Sequence, residues 1–338
     1  MDVSEDAMTP ALSSPKRHET LWLADGNVVL ATKTYLFRVH KSVLAMRSSV
    51  FRDMFGLPSA HDEGSGAQEV VGIVPELCDG IPMVTLEDEG RDVEHLLKTI
   101  YESRYYNSHD EHHTVDKVCA LLKLSSKYNF QGILVDVIEH LSRIFPTRLE
   151  EYEGIFEGHP FRYDFEGNCH ASNHLLASAI QAGVDDLFPA LYYACANEPF
   201  SVLRRIVSDT PAGWAALERL VEGQYKLKDA GPRIMSTFVE LTERCVYDHN
   251  LGFRPFVEKQ SWHSDYCYQF FTIDLGELTG STITQSLHER VCADCLDGIK
   301  ETIEQERVRI WKELPQYFGL GNWGSVRAKL RARIEDRA

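Results

Sequence analysis

Cys292-Ala293-Asp294-Cys295 sets two thiols three residues apart, and Cys245 and His249 stand four apart. Both spacings bring a pair to one face of a helix. Three thiolates and one imidazole make a tetrahedral donor set that would tie two helices together through a structural zinc. His263 or Cys267 could replace one member of the set. The competing reading treats the four as small side chains packed at helical spacing. No open coordination position is implied, so a metal held here is structural and not catalytic. A redox Cys-x-x-Cys opens a helix after a strand, and the pattern around Cys292 shows no such strand.

Other constellations carry weaker chemistry. His109-Asp110-Glu111-His112-His113 contains metal-ligand types, but not in the order His-Glu-x-x-His, and it reads as a solvated polar loop. Gly319-Leu320-Gly321-Asn322-Trp323-Gly324 spells a dinucleotide fingerprint, yet it follows a helical pattern instead of a strand, so it reads as a helix stop. Gly64-Ser65-Gly66 lacks the lysine of a phosphate loop. Arg327, Lys329, Arg331, Arg333 and Arg337 place positive charge on a terminal helix, where it suits solvent and the helix dipole. His40 remains. It has no nucleophile or carboxylate beside it in the local sequence, as a catalytic role would need.

The elements around His40 give it a context. "TLWLA", "NVVLA" and "TYLFRV" read as strands punctuated by Asp25-Gly26 and Thr32-Lys33. After His40 the period turns helical through Val43, Leu44, Val50, Phe51, Met54 and Phe55, with Ser48-Ser49 as a cap that divides two short helices. Residues 56–80 are rich in Gly, Pro and acids and read as an insertion. "IPMVTLE" is a further strand, and Val93, Leu96, Leu97, Ile100 and Tyr101 line an amphipathic helix. A helical pair follows, up to Pro146. The fold class is α+β over residues 19–146, a small sheet capped by helices, followed by an all-α region at 147–338.

"FRVHKSVLAMRSSVFRDMF" resembles the strand-to-helix signature of BTB/POZ domains. The match is carried by Phe37, His40, Lys41, Val43, Leu44, Ser48 and Phe51. "HLLKTIYESRYY" is similar to the family's helix ending in a tyrosine, and "LLKLSSKYNFQGILVDVIEHL" to its closing helical pair. "DLFPALYYACA", the "CADC" pair and "RIWKELPQYFGL" extend the likeness to BTB proteins of mushroom-type fungi. The resemblance implies a structural His40 whose imidazole bonds nearby backbone. It implies a non-enzymatic protein-interaction adaptor, with self-association or a cullin-type ubiquitin-ligase scaffold as partner. The partner surface would include Phe55, Leu96, Tyr101 and Glu76, the last from a hydrophobic-x-Glu element at Val74-Pro75-Glu76. The paired Asp and basic residue of the family's dimer groove would map to Asp25 and Lys41. Family dimers commonly exchange an N-terminal strand and helix, and "MDVSEDAMTPALSSPKRH" offers no amphipathic helix for this. A scaffold or transcription-linked regulator without a cullin is the alternative, and a metal-dependent enzyme is the alternative of another class.

Composition narrows the function. Fifty-one acids against 35 Lys and Arg leave a net charge of −16 over 338 residues, which disfavours general nucleic-acid binding. No apolar run reaches bilayer length, so no membrane partner is expected. Residues 1–18 lack a secretory pattern and read as a disordered tail. Eight scattered cysteines fit reduced thiols and an intracellular setting, cytoplasmic or nuclear. No cofactor is implied beyond the zinc.

Overall fold

A computed structural model describes residues 14–56, 76–110, 113–158, 171–206, 211–230, 232–234, 274–285 and 293–335. The chain divides into two compact units, residues 1–110 with 116–134, and residues 111–115 with 135–338.

The first unit is built on a five-stranded mixed sheet of β1 (Lys16–Trp22), β2 (Val28–Ala31), β3 (Tyr35–Val39), β4 (Glu76–Cys78) and β5 (Ile81–Thr85), ordered β1-β3-β2-β5-β4. Pairing is antiparallel for β2–β3 and β4–β5, and parallel for β1–β3 and β2–β5. Every residue of central β2 is buried, as expected of an apolar run covered on both faces. Thr32 closes the β2–β3 turn: its hydroxyl donates to the Tyr35 carbonyl and accepts the Tyr35 N–H, each at 3.0 Å.

Three expectations are corrected here. Residues 16–18 of the expected tail are strand, because His18 is buried between Tyr35 and Phe37 at ring distances of 5.2 and 5.1 Å. Its Nδ1 accepts the Leu21 N–H at 3.2 Å, across an irregularity in β1 between Arg17 and Trp22. Asp25-Gly26 does not close a hairpin, since β3 lies between β1 and β2. Instead Arg38 of β3 reaches back to the carbonyls of Gly26 at 2.8 Å and Ala24 at 2.6 Å, and a Cβ on Gly26 would stand 3.0 Å from the Arg38 carbonyl. The real hairpin turn is Asp79-Gly80, with φ of 54° and 76°, the pair of positive values that a two-residue turn between twisted strands requires. It falls within the stretch read as an insertion, of which residues 57–75 lie outside the described residues.

The helices of this unit follow the expected order: α1 (Lys41–Arg47), α2 (Ser49–Gly56), α3 (Gly90–Tyr101), α4 (Val115–Lys127) and the start of α5 (Gln131–Ile144). Ser48 separates α1 from α2 because its hydroxyl accepts the Phe51 N–H at 3.0 Å while donating to the Tyr128 carbonyl. Phe51 then stacks on Tyr128 at 4.9 Å. Gly90 opens α3 against the β2–β3 turn, where a Cβ would collide with Thr34 Oγ1 and stand 2.8 Å from the Tyr35 ring.

The second unit is helical, with α6 (Leu149–Gly158), α7 (Ala171–Ala182), α8 (Pro189–Cys195), α9 (Phe200–Ile206), α10 (Pro211–Leu227), α11 (Gly280–Thr284), α12 (Ala293–Tyr317) and α13 (Trp323–Glu335). Pro315 does not stop α12, as its sequence position suggested; it sits in the last turn. A proline removes the N–H that would bond the carbonyl four residues back. That carbonyl, Trp311 O, instead accepts the Trp323 indole N–H at 2.6 Å, and the two indoles stack 5.6 Å apart. The helix ends two residues later. Leu320 N–H donates to Pro315 O at 2.7 Å and Gly319 N–H to Gln316 O at 3.1 Å around a Gly319 φ of 67°, a Schellman end. Asn322 then caps α13 by accepting the Ser325 N–H at 3.0 Å. The Gly-x-Gly-x-x-Gly run is thus a helix-to-helix corner, as read.

Candidate functional site

The end of β3 delivers His40 to the end of α3. Tyr101 Oη accepts the His40 backbone N–H at 3.0 Å and lies 3.3 Å from His40 Nδ1. With its lone pair facing that N–H, the phenol proton is free to point at Nδ1. Nδ1 is then the acceptor, and Nε2 carries the ring proton toward Asp25 Oδ1 at 3.3 Å. Burial raises the Tyr101 hydroxyl above its ordinary range, against the His40 N–H, so the group stays a neutral donor. Asp25 is held below the usual carboxylate range by its own backbone hydrogen bond and then by His40. One residue further, Asn27 Oδ1 accepts the Lys41 N–H at 2.8 Å and satisfies one of the orphan donors of α1.

Asp25, His40 and Tyr101 stand in the order of a proton relay, but the arrangement is a latch. The hydroxyl that would be the nucleophile is committed to a backbone N–H and resists deprotonation. The latch ties strand end, helix start and helix end with side-chain partners, where the sequence reading expected the imidazole to bond backbone.

The remaining signature residues divide by burial. Phe37, Leu44, Ser48 and Phe51 are buried, while Val43 and Lys41 are half-buried. Lys41 lies over the Phe55 ring at 5.7 Å, so the residue matched to the dimer groove is set against Phe55, and Asp25 against His40. Of the four residues expected at a partner surface, Leu96 is corrected: it is 2% exposed and belongs to the core. Tyr101 and Phe55 are half-buried, and Glu76 is exposed on edge strand β4. Sequence reasoning missed Met46 on α1 and Leu77 on β4, which are 69% and 57% exposed. Their signal was an apolar residue off the buried face of its own element.

Electrostatics clamp β1 and the outer side of α3. His18 Nε2 faces Glu94 at 3.4 Å, and Lys98 pairs with Glu94 at 2.7 Å. Burial opposes the Glu94 charge, but Lys98 and His18 outweigh it and hold the carboxyl below its ordinary range. His95 lies 2.6 Å from the Tyr105 hydroxyl, and burial lowers its affinity for a proton.

The zinc candidates receive no geometry. Cys245, His249 and Cys292 lie outside the described residues, as does the side chain of Cys295. Among the described residues no group of three or more His, Cys, Asp or Glu is placed to hold a metal. His113, expected in a solvated loop, is buried and edge-on to His140 at 5.7 Å. Lys329 of the basic terminal helix pairs with Asp186 at 2.6 Å.

The second unit holds a pocket of about 490 Å³ lined by Tyr152, Glu153, Ser172, Tyr193, Asn197 and Asp274 among others. Tyr193 is tied to structure: its hydroxyl accepts the Leu275 N–H at 2.7 Å and donates to Asp274 at 3.4 Å. Burial drives both tyrosines far above their ordinary range. Burial also raises Glu153, although the buried Arg307 guanidinium contacts it. Among the described residues the lining offers no imidazole, thiol or amine.

No described helix is long and apolar enough to cross a membrane. No curated protein and no solved structure matches the chain. Residues 23–144, from the β1–β2 connection to the end of α5, match the family model of the BTB/POZ domain, and the mixed sheet capped by helices is that domain's protein-interaction fold.

Proposed function

We propose that the protein is a non-enzymatic adaptor whose BTB/POZ domain engages a cullin-type ubiquitin-ligase scaffold through the α1–α2 face, while the helical region carries a second partner. The observation that supports this reading is an apolar anchor on a BTB/POZ domain: Met46 is 69% exposed on α1, beside an α2 that carries half-buried Phe55 beneath Lys41. Interface energy concentrates in a few such side chains ringed by polar groups. Arg52 supplies part of the ring, held by the Ala45 carbonyl at 3.1 Å. The exposed Glu76 adds the acidic member of the hydrophobic-x-Glu element.

The test is capture of the full chain by the N-terminal region of the host's own cullin. Met46→Asp and Phe55→Asp each lower affinity by about thirtyfold if these residues are hot spots worth ~2 kcal/mol, and Glu76→Ala lowers it less. Failure of the unmodified protein to bind removes the cullin and leaves a scaffold or transcription-linked regulator. Binding that survives both aspartates keeps the adaptor and rejects this surface.

A further inference from the structure

The pocket of the second unit has walls that packing holds in place. Leu149, Tyr152 and Glu153 line it from α6, at the spacing that shares one face of a helix. Tyr193 of α8 stands edge-on to Tyr152 at 5.5 Å, and Tyr152 packs on the Trp311 ring at 5.0 Å. Both tyrosines are buried. A cavity of about 490 Å³ with apolar walls and a few polar groups is the size that takes a small molecule.

Charge at the wall selects the ligand. Arg307 is 3% exposed and wholly committed: Nε donates to the Leu275 carbonyl at 2.9 Å, Nη1 to Glu304 and Nη2 to Glu153. One cation is thus shared by two carboxylates. Arg307 takes one oxygen of Glu153, and the other has no donor among the described residues. Burial raises the proton affinity of Glu153, Arg307 opposes it, and the charges of Glu304 and Asp274 raise it again, so the carboxyl stays above its ordinary range. Its site is short of positive charge. An anion entering the pocket would meet these carboxylates and, among the described lining residues, no cation. A neutral apolar body would cover the Glu153 oxygen without giving it a donor, which is costly. An ammonium supplies the missing charge and the missing donor in one group.

We propose that this pocket binds an organic cation, a primary ammonium on a short apolar body, with the ammonium on Glu153 and the body against Leu149, Tyr152 and Tyr193. Aromatic walls add to the attraction for a cation. The half-buried Ser172 and the exposed Asn197 offer further hydrogen-bonding groups at the lining. The same chemistry is carried by a free amine and by the lysine side chain of a peptide, and the test separates the two.

The full-length protein is titrated with benzylammonium in ligand-observed NMR, alongside benzyl alcohol and benzoate as neutral and anionic counterparts. Nα-acetyl-lysine N-methylamide stands for a peptide lysine. Saturable binding of an ammonium is expected at about millimolar Kd, the range for so small a probe. Benzyl alcohol binds about tenfold more weakly, because it lacks the charge-assisted bond, and benzoate weaker still. Tighter binding of the lysine derivative assigns the pocket to a peptide side chain, and tighter binding of benzylammonium to a free amine. Glu153→Gln keeps an oxygen for Arg307 and lowers ammonium affinity about tenfold, to the level of the alcohol. Ala194→Leu, at a half-buried lining position of α8, fills the cavity without changing any charge and lowers the affinity of every probe. It carries the test alone if a circular dichroism melt shows that Glu153→Gln is unfolded. No saturable binding of either ammonium overturns the proposal, as does benzyl alcohol or benzoate binding as tightly as benzylammonium. Ammonium binding that survives Ala194→Leu is general attraction to an acidic protein and overturns it too. Met46 and Phe55 play no part here, so loss of cullin capture leaves these titrations unaffected.

Discussion

Tyr101→Phe isolates the latch at His40. The substitution keeps the ring and deletes one oxygen, which now accepts the His40 N–H at 3.0 Å and faces Nδ1 at 3.3 Å. The backbone bond contributes about 1 kcal/mol net, and leaving a part-buried N–H unsatisfied adds a further ~0.5–1 kcal/mol. The longer contact to Nδ1 adds about 0.5 kcal/mol. The sum is about 2 kcal/mol, or roughly thirtyfold in the opening equilibrium of the first unit. Hydrogen exchange followed by mass spectrometry reads it locally, as faster exchange of the amides in residues 37–47 than in the parent. A cycle with His40→Asn separates the parts. Tyr101→Phe still costs most of its effect in that background, because the principal bond is to backbone, and only the ~0.5 kcal/mol side-chain portion couples. A change below threefold in exchange, or a cost that vanishes in the His40→Asn background, would refute the latch.

Gly90→Ala lowers the melting temperature although alanine is the better helix former, with a cost of about 1–3 kcal/mol, because its Cβ meets Thr34 and Tyr35 inside contact distance. Trp323→Phe orphans the Trp311 carbonyl and costs about 2 kcal/mol by chemical denaturation; in a Pro315→Ala background the restored N–H reduces that cost by about half. Acid weakens the first unit in two windows. His95 binds its proton less readily folded than unfolded, so stability falls as pH drops below its ordinary 6.5, and His95→Gln removes that slope from a pH series of melts. The Glu94 carboxyl is depressed in the fold, so its contribution is present above pH 4.5 and is lost as pH falls further, a loss that Glu94→Gln abolishes. A structural zinc on Cys245, His249, Cys292 and Cys295 predicts one equivalent by metal analysis and loss of helical signal on chelation; less than one equivalent with no change on chelation leaves the four as ordinary packed side chains.

Period and punctuation made much of the first unit legible. The switch from strand to helix after His40 and the Ser48 division of α1 from α2 are local events, decided by side chains within a few residues. The parallel β1–β3 pairing was not legible, since a strand does not state its neighbour. With β3 inserted between β1 and β2, Asp25-Gly26 became a contact for Arg38, and Asp79-Gly80 took the hairpin that composition had hidden within an acidic stretch. Burial overruled helical spacing at Leu96, because apolar periodicity names a face without saying whether that face meets core or partner. Met46, Trp214 and Tyr225 show the converse, apolar residues on faces that only the assembled units reveal as outward. The sequence by itself determined the element types and the signature from Phe37 to Phe51, which rest on spacing and capping. Only the tertiary structure decided that the Tyr101 hydroxyl, 61 residues away, completes His40, and that Trp323 supplies the hydrogen bond that lets α12 run through Pro315. The first joins groups 61 residues apart, which no local window of sequence contains; the second spans only 12 residues but needs the turn at Gly319 to fold one helix back onto the other.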